Sequence, residues 1–458
     1  MQLFTAEWIY LNGTFARGQA LLVDDAGRIA AAGPRAEVEA LPAAAGATRV
    51  DRPGRALLPG TVSAHSHCFQ VLLRGSADHP ASFRDWVRGH LYPLVERLDE
   101  RALEAAALLC FAQMARAGVT TVGEFHYVHN RRDDYASQSA ELARIVIGAA
   151  RRVGLRVAFL RAIYDVQEVR GQGRFMERPA DAVEGIRALA KEWRGDPAVK
   201  VLPAPHSLHG ATREAIKAGA ELARELDTRW HIHLAEQKGD TGYSRHLYGK
   251  DPLFALEELG VLDRRTVLVH GIWLSEPEQD LLARKGGGLV TNPSTNMALG
   301  DGVAPLPGLV RRGVPVALGT DMNSAPNVFQ ELRLAEALQR VQALRMGVLP
   351  TARGGAPDPR LLLDMATKSG ADLLGVDAGA LEPGKWADLI SLDLEEPALL
   401  PAGVQGGERL LFALTGSAAA ELAVEDAWVA GKQVLRDGEL PGLDRAELAR
   451  IVRAAVEA

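Results

Sequence analysis

The fold is decided by an apolar run that ends at two histidines, Leu57-Leu58-Pro59-Gly60-Thr61-Val62-Ser63-Ala64-His65-Ser66-His67. Side chains alternate between the two faces of an extended segment, so His65 and His67 should point the same way. Two such imidazoles make half of a metal site, because neutral imidazole suits zinc, iron, nickel or copper. A catalytic site needs one or two more protein ligands and a position for water. The rest of the chain should supply those ligands.

The composition is that of a large globular protein. A chain of 458 residues with 47% hydrophobic content can form two or three ordinary domains, or one large barrel with an appendage. The net charge of -6 comes without a basic stripe, which argues against nucleic acid as a partner and leaves a small-molecule substrate. The two cysteines, Cys68 and Cys110, are too few for a disulfide framework.

The same features predict a location. No segment reaches the roughly 18 apolar residues of a membrane span, and residues 1–7 lack the pattern of a secretory signal. We therefore expect a cytoplasmic protein without a membrane partner, and we expect a homodimer.

Between about residues 58 and 375, short β-branched runs alternate with longer helical stretches. Repeated βα units predict a parallel sheet, and eight of them favour a (β/α)8 TIM-type barrel with its active site at the C-terminal strand ends. A doubly wound open sheet is the alternative, although no glycine-rich dinucleotide turn follows the first run. The eight runs are residues 57–67, 119–125, 156–163, 199–206, 229–236, 266–270, 288–292 and 315–321.

The two ends of the chain have a different pattern, with short strands joined by turns such as Asn12-Gly13. Strands at both ends suggest one small β-sandwich built from both termini, with separate terminal lobes as the alternative. The predicted α/β organisation is a composite β-sandwich domain of residues 1–57 and 376–440, a barrel of residues 58–375, and a C-terminal helix of residues 441–458.

Histidines cluster where the predicted strands end. Nine of the 12 histidines lie in strand-terminal motifs, a position that core or surface histidines have no reason to favour. An aspartate closes the eighth run. The motifs are His65-Ser66-His67, Phe125-His126-Tyr127-Val128-His129, Pro205-His206-Ser207-Leu208-His209, His231-Ile232-His233-Leu234-Ala235-Glu236, His270 and Gly319-Thr320-Asp321.

On these motifs the chain resembles the amidohydrolase superfamily, and specifically its mononuclear metal-dependent deaminases. The stretch Glu382-Pro383-Gly384-Lys385-Trp386-Ala387-Asp388-Leu389 resembles the family's return into its β-sandwich. Dinuclear relatives carry a carboxylated lysine at the end of the fourth strand, whereas Lys200 lies at the start of that run here. The resemblance therefore implies one divalent ion, with zinc as the first expectation and iron(II) as the alternative.

Two groups within the superfamily compete. Phe125-His126-Tyr127-Val128-His129, Leu299-Gly300-Asp301-Gly302 and Glu331-Leu332-Arg333 resemble formiminoglutamate deiminase, which removes ammonia from an amidine. The chain departs from that group at His209, where the family has a substrate-binding arginine. This departure argues against formiminoglutamate itself.

The second group comprises triazine hydrolases and deaminases of purine nucleosides, S-adenosylhomocysteine or other aminated heterocycles. Leu72-Leu73-Arg74-Gly75-Ser76-Ala77-Asp78, Trp86 and Asn292-Pro293-Ser294-Thr295-Asn296-Met297 resemble its motifs. The substrate is therefore expected to be an amidine or an aminated heterocycle.

Chemistry assigns roles to six of these strand-end residues. His65, His67, His233 and Asp321 can hold one divalent ion that brings the pKa of a bound water toward neutrality, so the nucleophile would be a metal hydroxide. Glu236 would protonate the substrate nitrogen and then the leaving amine, while His270 and Asp321 would take the water proton. The predicted reaction is hydrolytic deamination with release of ammonia. A chlorohydrolase is the alternative, which Glu236 disfavours because chloride needs no proton, and a non-enzymatic barrel binding protein is the alternative of another class.

The predicted substrate contacts come from the resemblance and from charge. Gln70 and Tyr127 match positions that line the deiminase pocket, and His206 stands where mononuclear deaminases place a substrate contact. His209 occupies the position of the family's arginine. Three arginines of the loop after the first strand, Arg74, Arg84 and Arg88, can pair with a substrate carboxylate. Cys68 is expected to be a small buried filler.

Overall fold

The computed structural model describes residues 1–132, 140–167 and 170–456. Numbered in chain order, the strands of this part are β1 Gln2–Leu11, β2 Thr14–Ala16, β3 Gln19–Val23, β4 Ile29–Pro34, β5 Thr48–Pro59, β6 Thr61–Ser66, β7 Val119–His126, β8 Arg156–Ile163, β9 Val199–Pro205, β10 Trp230–Leu234, β11 Thr266–His270, β12 Gly288–Thr291, β13 Val316–Leu318, β14 Leu389–Asp393, β15 Val424–Val429 and β16 Lys432–Leu435.

Most helices of the described residues lie between β6 and β14, where they separate the central strands. They are α1 Arg35–Glu39, α2 Phe83–Trp86, α3 Tyr92–Arg97, α4 Glu100–Arg116, α5 Glu141–Val153, α6 Pro179–Glu192, α7 Arg213–Glu225, α8 Lys238–Tyr248, α9 Pro252–Glu258, α10 Glu276–Lys285, α11 Pro293–Ala298, α12 Leu306–Arg311, α13 Val328–Ala343, α14 Arg360–Ala366, α15 Lys368–Leu374, α16 Ala402–Gln405, α17 Gly407–Gly416 and α18 Arg445–Val456. Among the residues that the structure describes, no helix is both long enough and apolar enough to cross a membrane.

The central strands, β6 to β13, all run parallel. Within the described residues they form two four-stranded sheets, in the orders β6-β7-β8-β9 and β10-β11-β12-β13. Parallel bridges between Ser66 and Asp321 and between Ser207 and His233 join these sheets at both seams. The seven strands β7 to β13 coincide with the predicted runs to within a few residues, and the predicted α/β barrel class is confirmed.

The first predicted strand is wrong in one respect, because the chain divides it between two sheets. Leu57, Leu58 and Pro59 belong to β5, which pairs with β1 and β14 outside the barrel, whereas the barrel strand β6 begins at Thr61. The chain crosses between the sheets at Gly60, where an added Cβ would lie 2.2 Å from the Thr120 side chain. Only glycine fits so close an approach.

Both ends of the chain contribute to one further sheet, as predicted. Its order is β16-β15-β14-β5-β1-β3-β4, with β2 paired to β1 through the Asn12-Gly13 turn. The rings of Phe4 in β1 and Trp428 in β15 pack edge to face at 5.4 Å, although β5 and β14 lie between their strands. The sheet therefore curls over a shared core. The division of the chain at residues 57, 376 and 441 stays a prediction.

A buried ion pair fastens this terminal sheet to the barrel. Arg156 of β8 donates to both carboxylate oxygens of Asp388, at 2.7 and 3.1 Å, and both side chains are buried. A bidentate, charge-assisted pair of this kind fixes relative orientation as well as distance. It lies at the N-terminal end of the barrel, which leaves the opposite end free to form a site.

Candidate active site

A cavity of about 390 Å³ opens at the C-terminal ends of the barrel strands. This is the end at which (β/α)8 enzymes carry their active sites. The cavity is lined by predicted site residues and by several aromatic side chains. They include His67, Gln70, Arg84, Trp86, Arg88, Tyr92, Tyr127, Tyr164, Gln172, Phe175, His206, His209, His233, Glu236, His270 and Asp321.

Three histidines converge at the floor of this cavity. The Nε2 atom of His65 lies 3.2 Å from Nε2 of His67 and 3.2 Å from Nε2 of His233. Burial lowers the pKa of each imidazole below its usual value, to about 3 for His67, so the rings are neutral. Neutral rings this close present lone pairs toward one point, an arrangement that a cation stabilises.

Backbone carbonyl groups set the tautomers of two of these rings. Nδ1 of His67 donates to the carbonyl oxygen of Phe125 at 2.8 Å, and Nδ1 of His233 donates to that of His206 at 2.9 Å. With the proton on Nδ1, each Nε2 keeps its lone pair for a metal ion, which is the usual arrangement of metal-ligating histidines.

The donor set fits a zinc ion. Zinc with Zn–N bonds of about 2.0–2.1 Å holds tetrahedral ligand atoms about 3.3 Å apart. The two Nε2–Nε2 distances of 3.2 Å match that value. The Asp321 carboxylate adds an oxygen 3.6 Å from Nε2 of His67 and 3.8 Å from Nε2 of His65. His65, His67, His233 and Asp321 could therefore hold one divalent ion.

A second group of polar side chains borders this site. Nε2 of His270 lies 3.6 Å from Oε1 of Glu236 and 3.7 Å from Oδ2 of Asp321, so the imidazole lies between two carboxylates. Burial and the neighbouring Asp321 carboxylate raise the pKa of Glu236 well above its usual range. A raised pKa favours the protonated carboxyl, which is the form that a general acid needs.

The backbone is strained where these side chains leave their strands. Ala235, His270 and Asp321 have φ values of 52°, 72° and 47°, in the left-handed region that costs non-glycine residues about 1–3 kcal/mol each. Each lies at or just beyond the end of a barrel strand. The chain therefore turns sharply at the strand ends and leaves the strand-end side chains at the cavity floor.

Two asparagines of the Asn292–Met297 motif, to which the sequence assigned no role, contact this group. Oδ1 of Asn296 lies 3.0 Å from Nδ1 of His270, and Nδ2 of Asn292 lies 3.4 Å from the same atom. The helix α11 that carries Asn296 is held at its start by Glu331, which accepts from the backbone N–H of Ser294 at 2.8 Å. Asn292 directly follows β12, the seventh barrel strand. Because the other strand ends carried site residues, this position could have been predicted to belong to the site.

Behind the His65-Ser66-His67 motif lies a buried carboxylate. Glu124 accepts from the Ser66 hydroxyl and from the Cys68 backbone N–H, both at 2.7 Å, and burial raises its pKa to about 7. These bonds fix the chain on both sides of His67. Cys68 is fully buried, in agreement with its predicted role as a filler.

Four predicted substrate residues line the cavity. Nε2 of Gln70 donates to the Tyr127 hydroxyl at 2.8 Å, and among the described residues Oε1 of Gln70 has no hydrogen-bond partner. The ring of His206 packs against those of Tyr164 and His233, with centroids 4.6 and 4.9 Å apart. His209 lies farther out, 5.8 Å from His206 between ring centroids.

The three predicted arginines differ in position. Arg84 and Arg88 line the cavity and are exposed. Arg74 does not line it, because its guanidinium donates to the backbone carbonyls of Asn323 and Ser324 and to the side chain of Gln113. The predicted substrate contact of Arg74 therefore needs correction: this residue fastens the loop that follows Asp321.

An aromatic wall was missed from sequence. Tyr92, Tyr164 and Phe175 line the cavity, and Nε2 of Gln172 donates to the hydroxyl groups of Tyr92 at 3.1 Å and Tyr164 at 2.8 Å. Tyr164 directly follows β8, so its strand-end position was an available signal. Residues 170–175 belong to a long connection whose path no periodicity encodes. Lys200 lies at the other end of β9 and donates to the Gly375 carbonyl, away from the site.

Comparisons with known proteins agree with this geometry. The family described as the amidohydrolase family matches residues 56–434. A 5'-deoxyadenosine deaminase from Methanothermobacter thermautotrophicus is 32% identical over 413 residues, which are 89% of this chain and 88% of that protein. A 5-methylthioadenosine/S-adenosylhomocysteine deaminase from Nitratidesulfovibrio vulgaris is 33% identical over 94% of this chain and 90% of that protein.

Solved structures show the same likeness. An adenosine deaminase from Xanthomonas campestris with bound zinc superposes with a TM-score of 0.85 at 28% identity, covering 100% of this chain and 98% of that one. A zinc-complexed atrazine chlorohydrolase from Arthrobacter aurescens has a TM-score of 0.85 at 22% identity over 100% and 99% of the two chains, which shows the shared fold. The family match covers most of the chain, and the residues at the strand ends agree with it. The chain therefore belongs to the amidohydrolase family.

Proposed function

We propose that this protein is a metal-dependent hydrolytic deaminase that replaces the exocyclic amino group of an aminated purine, carried in a nucleoside-like substrate, by oxygen from water. The products are the oxo compound and ammonia. One observation carries the proposal: three neutral imidazoles and Asp321 meet at the floor of a cavity where His270 and Glu236 lie beside them.

The substrate class is supported by relatives of the chain. The proteins named 5'-deoxyadenosine deaminase and 5-methylthioadenosine/S-adenosylhomocysteine deaminase share 32% and 33% identity with it over most of its length. Both names describe adenosine derivatives. The aromatic side chains of Trp86, Tyr164 and Phe175 line the cavity and offer flat, apolar surfaces for a purine.

We assign His65, His67, His233 and Asp321 as the ligands of one divalent ion, with zinc as the first choice and iron(II) as the alternative. When bound, such an ion would lower the pKa of a coordinated water toward neutrality. The hydrogen bonds from His67 and His233 to backbone carbonyls support this assignment, because they leave both Nε2 atoms unprotonated.

Glu236 is assigned as the acid. Hydrolysis at the amino-bearing ring carbon raises negative charge on the adjacent ring nitrogen, so a proton must reach that nitrogen and later the departing amine. The raised pKa of Glu236 supports this role, since it favours the protonated form of a carboxyl group that lines the cavity.

His270 and Asp321 are assigned to receive the proton of the attacking water. Because Nδ1 of His270 faces the amide oxygen of Asn296 at 3.0 Å, its Nε2 lone pair is directed toward the carboxylates of Asp321 and Glu236. The ring can therefore accept a proton at Nε2 and orient the water.

A second candidate function has its own support. Gln70 and Tyr127 form a hydrogen-bonded pair on the cavity wall, and Arg84 and Arg88 line the cavity as well. Together they suit a smaller amidine that carries a carboxylate, the substrate type of formiminoglutamate deiminases. His209 in place of arginine disfavours formiminoglutamate itself. Dechlorination is disfavoured by Glu236, because a chloride leaving group needs no proton.

The two candidates differ in a direct assay. The zinc-loaded protein should release ammonia from adenosine, 5'-deoxyadenosine or a thioether derivative with a higher kcat/KM than from formiminoglutamate. A preference for formiminoglutamate or another acyclic amidine would replace the purine proposal with the second candidate. The homodimer and the cytoplasmic location stay predictions.

A further inference from the structure

Three side chains form a cluster next to the proposed metal site, and the proposed reaction uses only two of them. Glu236, His270 and Asp301 each offer a ligand atom, and these atoms all lie within 4.8 Å of one another. Glu236 follows β10, His270 ends β11, and Asp301 lies in the loop after α11. Asp301 has no role in the reaction as proposed above.

The cluster brings two carboxyl groups together without a basic partner. Asp301 is 2% exposed, and its Oδ1 accepts a hydrogen bond from Gln237. Within the described part of the chain, its Oδ2 has no hydrogen-bond partner, and neither Asp301 nor Glu236 pairs with a lysine or arginine. The nearby Lys238 ammonium instead lies over the ring of Trp273, at 5.8 Å.

Two enclosed carboxylates this close together are unfavourable unless a proton or a cation compensates their charge. An imidazole nitrogen with two carboxylate oxygens is a donor set that zinc accepts. Oδ2 of Asp301 is a buried acceptor without a partner, and a bound cation would supply one.

We propose that Glu236, His270 and Asp301 form a second, weaker site for a divalent cation, for which zinc is the probe, and that occupancy of this site inhibits the enzyme. The distances between ligand atoms predict which of the two sites binds zinc more tightly. Nε2 of His270 and Oε1 of Glu236 lie 3.6 Å apart, whereas Nε2 of His65 lies 3.2 Å from Nε2 of His67 and from Nε2 of His233 in the first site. Since tetrahedral zinc needs about 3.3 Å, the second site must contract to bind and should fill after the first.

Inhibition follows from which groups the ion would occupy, and this part of the inference rests on the proposed function. A cation on Glu236 displaces the proton that the substrate nitrogen requires, and a cation on Nε2 of His270 removes the lone pair that receives the water proton. Excess zinc should therefore stop turnover without displacing the first ion.

Binding is tested first, independently of any activity. Equilibrium dialysis of the purified protein against rising zinc, followed by elemental analysis, should give one ion per chain at low free zinc and a second at higher concentration. Asp301→Asn should keep the first ion and bind the second at least about 10-fold more weakly, by analogy with the 10- to 100-fold cost of losing even an outer partner of a metal ligand. Asp280→Asn, which changes an exposed carboxylate on α10, is the matched control and should bind like the wild type.

A second variant and the inhibition of the wild type extend the test of the second cation site. His270→Gln should also weaken the second ion while retaining the first, which covers the case in which Asp301→Asn does not fold. In the wild type, inhibition of ammonia release should follow the occupancy of the second ion. A wild type that stops at one ion up to millimolar zinc, or an Asp301→Asn protein that binds the second ion unchanged, overturns the proposal. Absence of ammonia release with normal two-step binding would count against the proposed function and leave the cation site standing.

Discussion

Nδ1 of His270 lies 3.0 Å from Oδ1 of Asn296, and both side chains are buried. This contact is shorter than the 3.4 Å between the same nitrogen and Nδ2 of Asn292, so the ring donates to the Asn296 oxygen. Nδ1 therefore carries a proton, and Nε2 faces Glu236 and Asp321. Asn296 thus positions His270 without lining the cavity itself.

Replacing Asn296 by alanine should lower kcat about 10- to 100-fold, the usual cost of losing a partner that orients a site histidine. Metal content should stay normal, because His270 is not among the assigned ligands. Met297→Ala is the matched control, since Met297 is the next residue of α11 and is 52% exposed. The pH profile of kcat should shift in Asn296→Ala only. Equal, small effects of both variants would mean that Asn296 only stabilises the helix.

Glu236→Gln should keep the metal ion but lose about 10²- to 10⁴-fold in turnover, the range expected for a general acid-base residue. Glutamine preserves the size of the side chain but cannot deliver a proton. Elemental analysis and steady-state kinetics on the same preparation separate the two effects. Near-normal turnover would make Glu236 a structural carboxylate.

His67→Ala and His233→Ala should each strip the tightly bound ion, because either change removes one of three converging imidazoles. The wild type should hold about one divalent ion per chain. His246→Ala, which changes an exposed histidine of α8, should retain it. Full retention in the first two variants, or two tightly held ions in the wild type, would contradict the mononuclear assignment.

Much of this site could be predicted because parallel strands of a barrel end at one face. The positions of His65, His67, His233, His270 and Asp321 at strand ends were enough to bring them together, as distances of 3.2–3.8 Å between them now show. The fold class followed from the same alternation of strands and helices. In both cases the position of a residue along its strand determines where its side chain lies.

The rest of the site comes from loops, whose paths are not encoded by a repeating pattern. Gln172 and Phe175 reach the cavity from a long connection, and Arg74 turns away from it because backbone carbonyls near Asn323 capture its guanidinium. Asn296, to which the sequence assigned no role, reaches His270 from the helix α11. The charge of a loop residue and its spacing in the sequence could not show whether its side chain reaches the cavity.

His209→Arg should raise kcat/KM for formiminoglutamate. Arginine would offer a substrate carboxylate a charge-assisted partner worth about 2–5 kcal/mol, which is roughly 30- to several thousand-fold in specificity constant. His209 lines the cavity, so the new side chain has access to the substrate. Kinetics on formiminoglutamate and on a purine nucleoside, for both proteins, provide the comparison. Loss of activity on both substrates would show that His209 has a different role.

The stability of the protein should depend on pH through Glu331. Burial raises the pKa of this carboxyl from 4.5 to about 7, so between these values the folded state holds a proton that the unfolded state has released. This contribution to stability is present at low pH and is lost as the pH rises through that window. Relative to the wild type, Glu331→Gln should therefore gain in Tm between about pH 5 and about pH 8. Glu276→Gln, an exposed change on α10, should show no such trend.

The most direct test of the central claim is ammonia release from aminated purine nucleosides by the metal-free protein and by the same protein after one equivalent of zinc. The proposed function predicts no release without the metal and, after zinc is restored, a kcat/KM of at least about 10⁴ M⁻¹s⁻¹ on one such nucleoside. Run in ¹⁸O-labelled water, the reaction should place one labelled oxygen at the carbon that lost its amino group. Zinc-loaded protein that releases no ammonia from these nucleosides, or equal release with and without the metal, would contradict it.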